Sequence, residues 1–277
     1  MDRQPIAHTI PGRICRGGPP AASERRTRGD STRQIGRRRQ SARARSCGRI
    51  GTNRSVAGGG AALRVTGTEQ IGPYTLLRVA AGSIEPGIPG QFFMLQPPGH
   101  VLPRPMSLCL FRAGELCFLI DSVGPGTRTL CNLTEGDALH VLGPLGNGFD
   151  LTVPRPLLVG GGIGVAPFPH VSEALGGPPA ILGFRSQHHA EAAALVPGAE
   201  VVLDPTLVTE LLPADPGDVL ACGPEPMLEA VRRLAPQAQL AWEAPMACGY
   251  GACYGCVVEV DGHLHRLCVA GPVLRAA

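Results

Sequence analysis

The chain has 277 residues, long enough for about two domains and a sizeable core. Its net charge of +3 conceals an asymmetry: residues 1–62 hold 14 Arg against Asp2, Glu24 and Asp30, a balance of +11, whereas the rest holds 11 Arg against 19 acidic residues, a balance of −8. An acidic body speaks against nucleic acid as its main partner, and the most apolar run, Pro156 to Pro169, is too short and too interrupted by Gly and Pro to cross a bilayer.

Residues 1–62 are rich in Arg, Gly and Ser and have no apolar periodicity. They bury too little to offset the entropy of ordering, so disorder is expected. Three readings compete: a nucleic-acid or membrane arm, a transit peptide, or translated upstream sequence with the true start at Val56. The absence of any residue-level pattern favours the third.

From residue 63 to 153 the texture is short apolar or alternating runs: LRVTG, YTLLRVA, GQFFMLQP, PMSLCLFRA, ELCFLID and DALHVLG. Six strands at this spacing predict a small antiparallel barrel, with a hairpin loop at Arg112, Ala113 and Gly114. Within it Arg104-Pro105-Met106-Ser107 puts a charge and a hydroxyl on an apolar strand, where Arg can meet a phosphate and Ser a ring heteroatom. Gly124-Pro125-Gly126-Thr127 is a turn whose free N–H groups can hold a pyrophosphate. Taken singly, an edge-strand Arg and an ordinary turn are the blander readings.

Residues 154–240 follow a strand, glycine turn, helix pattern. LLVG runs into Gly160-Gly161-Gly162-Ile163-Gly164-Val165-Ala166-Pro167, where a nucleotide phosphate would meet a helix N-terminus, although the G-x-G-x-x-G pattern is not strictly kept. Further strands AILGF, AEVVL and DVLACG predict a doubly wound α/β domain. Pro224-Glu225-Pro226-Met227 opens the last helix, in which Met227, Val231 and Leu234 recur at core spacing. His188-His189 lies in a polar loop and reads as solvated.

The last stretch, 241–277, contains MACGYGACYGCVVEVDGHLHRLC. Cys248, Cys253, Cys256 and Cys268 have the C-x4-C-x2-C spacing with a distant fourth ligand that suits a [2Fe-2S] cluster. Gly249, Gly251 and Gly255 let the loop turn its N–H groups toward sulfur. A four-cysteine zinc site, which usually pairs separated C-x2-C knuckles, and a set of buried free thiols are the alternatives. His263 and His265 share one strand face and leave a Rieske-type pair formally open, but four cysteines already satisfy a cluster. Cys109, Cys117 and Cys131 read as small core residues. Cysteine usage of this kind fits a reducing cytoplasm.

LPRPMS, VGPGTRTL, VLGPLGNGF, LLVGGGIGVAPF, ACGPEPML and MACGYGAC, in this order, resemble the electron-transfer subunit of the NAD-dependent (type B) dihydroorotate dehydrogenases, within the ferredoxin reductase-like superfamily. The resemblance runs from about Leu63 to Val273. It implies an FAD-binding barrel over 63–153, an NAD-binding domain over 154–240 and a [2Fe-2S] domain over 241–277. By the resemblance Arg104, Pro105, Met106, Ser107, Gly126 and Thr127 contact FAD, and Ile120, Asp121 and Ser122 fall where the family lines it. There the family commonly has Tyr-Arg, and an acid at 121 would repel a pyrophosphate. Gly160, Gly161, Gly162, Gly164, Cys222, Gly223 and Pro224 resemble the nicotinamide-nucleotide side, and Glu243 falls at an acidic position ahead of the cluster loop. Gly271-Pro272-Val273 matches the segment after the last ligand. The Ala before Cys253 is closer to this subunit than to hydrogenase or transhydrogenase reductase subunits, which more often have Lys there.

The implied activity passes electrons from dihydroorotate, oxidised on an FMN-containing catalytic subunit, through [2Fe-2S] and FAD to NAD+, in an assembly of two of each subunit. A reductase subunit of a hydrogenase, sulfide or transhydrogenase complex is the alternative within the class. A nucleic-acid-binding protein with an Arg-rich arm and a zinc module is the alternative outside it. No membrane or nucleic-acid partner is expected of the first reading.

Overall fold

The computed structural model describes residues 60–260 and 262–276. The expected disorder over 1–62 and the start at Val56 fall almost wholly outside these residues; Ala61 and Ala62, by contrast, already belong to a strand. No described helix is long and apolar enough to cross a membrane.

The first half consists of β1 (Ala61–Ile71), β2 (Tyr74–Ala80), β3 (Phe92–Gln96), β4 (Arg104–Ser107), β5 (Leu110–Arg112), β6 (Glu115–Asp121), α1 (Pro125–Cys131) and β7 (Ala138–Leu145). The strands form one antiparallel sheet in the order β4-β3-β7-β1-β2-β6-β5. It rolls up so that β4 approaches β6. Seven strands replace the expected six because PMSLCLFRA is two: β4 pairs with β3 and β5 with β6. Buried Leu108 and Cys109 carry the chain across the seam between the two ends of the sheet. The hairpin is tighter than expected, with Ala113 and Gly114 alone at φ 52° and 77°, the left-handed pair that a two-residue hairpin turn requires.

Side-chain alternation explains why ELCFLID runs apolar throughout. Leu116, Phe118 and Ile120 point into the barrel core with Leu77, Val79, Phe93 and Val141. Cys117 and Leu119 point outward into a second core that they share with Phe168 and Leu182 of the following unit. Phe93 and Phe118 meet edge to face at 5.6 Å, a contact of about 0.5–1.5 kcal/mol beyond the area it buries.

The second half adds β8 (Pro156–Gly161), a 3₁₀ turn (Gly162–Val165), α2 (Phe168–Leu175), β9 (Ala180–Phe184), α3 (Gln187–Ala190), β10 (Glu200–Leu203), β11 (Asp218–Cys222), α4 (Glu225–Leu234) and β12 (Gln239–Ala241). Then come β13 (Val257–Val260), β14 (His263–Arg266), α5 (Leu267–Ala270) and β15 (Val273–Arg275). The sheet order is β10-β9-β8-β11-β12-β15, parallel except for β15, which pairs antiparallel with β12. Residues 242–272 are therefore an excursion between two neighbouring strands, and the helix at Glu225 is followed by one further turn, α5. On α4 Leu228 and Val231 are buried core positions and Met227, partly buried, packs against the same core; Leu234 is exposed, which corrects the expectation for it. β13 and β14 form a separate hairpin.

Candidate functional site

Open α/β sheets bind ligands outside the carboxyl ends of the strands where the strand order reverses. Here the reversal lies between β8 and β11. A cavity of about 460 Å³ sits at that place, walled by Gly161 at the end of β8 and Gly162 just after it, Arg185 after β9, Asp204 after β10, and Pro224 and Met227 at the start of α4. Gly162 is left-handed at φ 56° with open space around it. A Cβ at Gly164 would drive into the Cys222 carbonyl oxygen, so only glycine lets the turn lie on the end of β11. Gly160 and Gly223 do not line the cavity. A side chain at Gly160 would meet Leu182 at 2.7 Å and Phe168 at 2.8 Å, and one at Gly223 would meet Met227 at 2.7 Å. They permit close packing beneath and beside the site.

A second cavity of about 500 Å³ lies between the barrel and the α/β unit. Pro105, Met106 and Ser107 line it from β4, Thr127 from α1, Cys222 from β11, and residues 242–246 from beyond β12. Asp121 and Ile163 line both cavities, which therefore meet. Of the three residues expected from β6 onward, only Asp121 faces the site. Ile120 is fully buried in the barrel core, because alternation turns it away from Leu119 and Asp121. Ser122 is exposed and lines neither cavity.

Arg104 stands beside this cavity rather than in its wall. Its Nη1 donates to the carbonyls of Leu102 and Pro103 at 2.8 and 3.2 Å. The guanidinium lies so close over α1 that a Cβ on Gly126 would be 2.5 Å from Nε and Nη2. The expected Gly-Pro-Gly-Thr turn is the first turn of α1, and the Thr127 hydroxyl is spent holding it: it accepts from Gly124 N–H at 2.9 Å and donates to Gly124 O at 3.1 Å. Bare glycine surface against an arginine fork is the chemistry a pyrophosphate needs.

Among the lining residues Trp242 and Tyr74 had no signal in the sequence, while Glu243 and Cys222 were marked by the family resemblance alone. Trp242 is buried with its Nε1 unpartnered, a cost of about 1–3 kcal/mol unless a bound group accepts from it. Glu243 lines the second cavity and is exposed to solvent on its other side; desolvation by the protein around it raises its carboxyl above the ordinary range. Burial, with the Glu243 charge added to it, also raises the Cys222 thiol. His189, expected in solvent, is only partly exposed and lines the first cavity. Arg185 Nε donates to its Nε2 at 2.6 Å, and its ring meets Tyr74 edge-on at 5.8 Å. Partial burial, then Arg185 and His188, lower its pKa. Burial and then Asp121, paired with it across β2 and β6, push the Tyr74 hydroxyl up to about 12. His188 does stay exposed, pairing with Glu191 at 3.0 Å.

The four cysteines occupy the loop after Met246 and the start of α5. Cys256 and Cys268 are buried with their sulfurs 3.2 Å apart, Cys248 is half-buried, and Cys253 is exposed. Among the described residues no three His, Cys, Asp or Glu side chains converge as ligands of one ion would; the thiols stand as two pairs. Burial raises the Cys248 thiol, but N–H groups of Cys253, Tyr250 and Ala252, with the Cys253 thiol, outweigh it and bring it down to about 6. Gly251 N–H points at Cys268, and Gly255 N–H is 3.4 Å from the Cys253 sulfur. Four thiols wrapped in inward N–H donors fit an anionic iron–sulfur cluster. His263 and His265 lie on β14, His263 exposed, and Cys109 and Cys117 are buried core residues.

Residues 243–277 match the family model described as the iron-sulfur cluster binding domain of dihydroorotate dehydrogenase B. Over 217 residues the chain is 37% identical to the electron transfer subunit of dihydroorotate dehydrogenase B (NAD(+)) from Listeria monocytogenes serotype 4a, covering 68% of this chain and 85% of the relative. The chain belongs to this family of electron transfer subunits. Among solved structures, an NADH-dependent reduced ferredoxin-NADP oxidoreductase matches with a TM-score of 0.70 at 24% identity, covering 79% of this chain and 90% of that one. Phthalate dioxygenase reductase matches with a TM-score of 0.53 at 22% identity over 64% of each chain. Both share with this chain a reductase-like fold, here a barrel beside a doubly wound sheet.

Proposed function

We propose that the chain carries electrons from a dihydroorotate-oxidising catalytic subunit to NAD+, with the cysteine loop holding a [2Fe-2S] cluster, the second cavity the FAD ring system and the first cavity the nicotinamide dinucleotide. The observation that carries this reading is adjacency. The two cavities share Asp121 and Ile163, and Met246 of the second cavity is two residues from Cys248. When bound, a flavin exchanges two electrons with nicotinamide and single electrons with an iron–sulfur centre, which is why it belongs between them.

The residues then have separable tasks. Arg104 and the glycine surface of α1 hold the pyrophosphate of FAD, and Met106 and Ser107 orient its ring. Gly161 and Gly162 admit the dinucleotide phosphates, while Ile163 lets the nicotinamide pass toward Cys222. Glu243, kept protonated to higher pH by desolvation, can hold a proton at the cavity wall. Trp242, Met246 and Pro272 close the side of the cavity that faces the cluster and exclude water.

Around the exposed Cys253, the side chains of Tyr250, Tyr254 and, against Gly251, Val269 are also exposed. An apolar rim of this kind suits a protein partner, and the partner on this reading is an FMN-containing catalytic subunit in an assembly of two of each. The test is spectroscopic. Protein purified anaerobically should show oxidised flavin and [2Fe-2S] absorption that NADH bleaches, and should co-purify with the orotate-forming subunit. A colourless, zinc-containing protein would end the proposal.

A further inference from the structure

The segment between Cys248 and Cys256 is gripped from outside by one side chain. Arg266, partly buried at the end of β14, donates from Nη1 to the Gly251 carbonyl at 2.9 Å. Its guanidinium also stacks over the Tyr254 ring, 4.7 Å from the centroid. Tyr254 is itself left-handed at φ 59°, a conformation a bulky residue rarely adopts unless its surroundings hold it. A cation over an aromatic face supplies such a hold.

The peptide that Arg266 grips has two ends. Its carbonyl is that of Gly251 and its N–H is that of Ala252, and a trans peptide directs the two groups oppositely. The Ala252 N–H donates to the Cys248 sulfur. The preceding N–H, that of Gly251, donates to Cys268. Arg266 therefore sits at the far end of a hydrogen-bonded row that ends on a cluster thiolate, and hydrogen bonds in a row polarise one another.

We propose that Arg266 is a positioning and potential-setting residue of the iron–sulfur site, acting on Cys248 through the Gly251–Ala252 peptide and on the tip of the loop through Tyr254. Reduction adds one negative charge to the cluster. A guanidinium close by, and the stronger N–H donation it induces, both favour the reduced state and so raise the reduction potential. Neither contact touches a ligand directly, so the effect is separate from holding the metal.

The inference rests on the cluster reading, and the two fail differently. Wild-type protein without cluster absorption sinks that reading. A loaded wild type with unmoved variants sinks this one. The holo-protein would be titrated with dithionite and mediators, following the cluster by its electron paramagnetic resonance and the flavin by its own band. R266Q should make cluster reduction at least about tenfold less favourable, 59 mV for one electron, with the flavin potential unchanged. R266K, which keeps the charge, should stay nearer wild type. An R266Q cluster at the wild-type potential would overturn the proposal, and so would R266K falling as far as R266Q. If R266Q fails to assemble its cluster, R266K and Y254L decide, since both keep the charge near the Gly251 carbonyl. A full drop in potential in either refutes the charge-based account, and retention supports it.

Discussion

Replacing Gly126 by alanine separates cofactor binding from folding more cleanly than any other single change. Gly126 lies in the first turn of α1 with no left-handed dihedral, so alanine should be neutral to favourable for the helix, by at most about 0.5–1 kcal/mol. The added Cβ would stand 2.5 Å from Nε and Nη2 of Arg104 and 2.6 Å from its Cζ, where about 3.5–4.0 Å is the comfortable separation. The guanidinium is the end of a flexible side chain, so it swings away and the fold is spared. With FAD bound as proposed, what is lost is one charge-assisted contact from Arg104 to its pyrophosphate, worth about 1.5–3 kcal/mol, or roughly 10- to 150-fold in affinity. Apoprotein titrated with FAD by fluorescence should show that weakening, while its thermal midpoint holds steady or rises by about 2–4 °C. R104A should weaken FAD similarly, and the double variant no further, because both act through one guanidinium. Normal FAD affinity in G126A beside weak affinity in R104A would refute this account, as would a melting point several degrees lower.

Further expectations concern the other parts. C268A and C248A should lose the visible cluster band and its iron while retaining flavin, measured by metal analysis and absorbance on the same sample. Desolvation raises the folded-state pKa of Glu243, so its contribution to stability is present below the unfolded carboxyl value near 4.3 and is lost as pH rises through the raised folded value. The thermal midpoint of apoprotein against pH should accordingly fall more steeply in wild type than in E243Q across that window, and parallel curves would contradict it. F93A removes a fully buried ring that packs on Phe118 and should destabilise by about 3–5 kcal/mol in urea unfolding.

Sequence reading succeeded where one interaction dominates a stretch. The strands of the barrel, the glycine turn after β8 and the cysteine loop were legible because alternation, backbone freedom and ligand spacing are local. It failed where partners come from far along the chain. Ile120 and Asp121 are neighbours with opposite fates, since the strand turns one into the barrel and the other toward both cavities. His189 looked solvated because nothing local reveals Tyr74, 115 residues earlier, lying against it. Trp242 and Glu243 belong to no spacing rule, and their meaning comes from the wall they complete.

The antiparallel pairing of β15 with β12 bears on how the molecule acquires its prosthetic groups. Because Ala241 faces Val273 in that pair, the two ends of the excursion 242–272 are one strand spacing apart, about 4.8 Å. The same excursion carries the four cysteines proposed to hold the cluster and, through Trp242, Met246 and Pro272, one side of the second cavity, proposed to hold the flavin. Ordering either half of it lowers the entropy left for the other to lose. Loading is then reciprocal: by thermodynamic linkage, whatever factor the inorganic centre adds to flavin affinity, flavin returns to the retention of that centre.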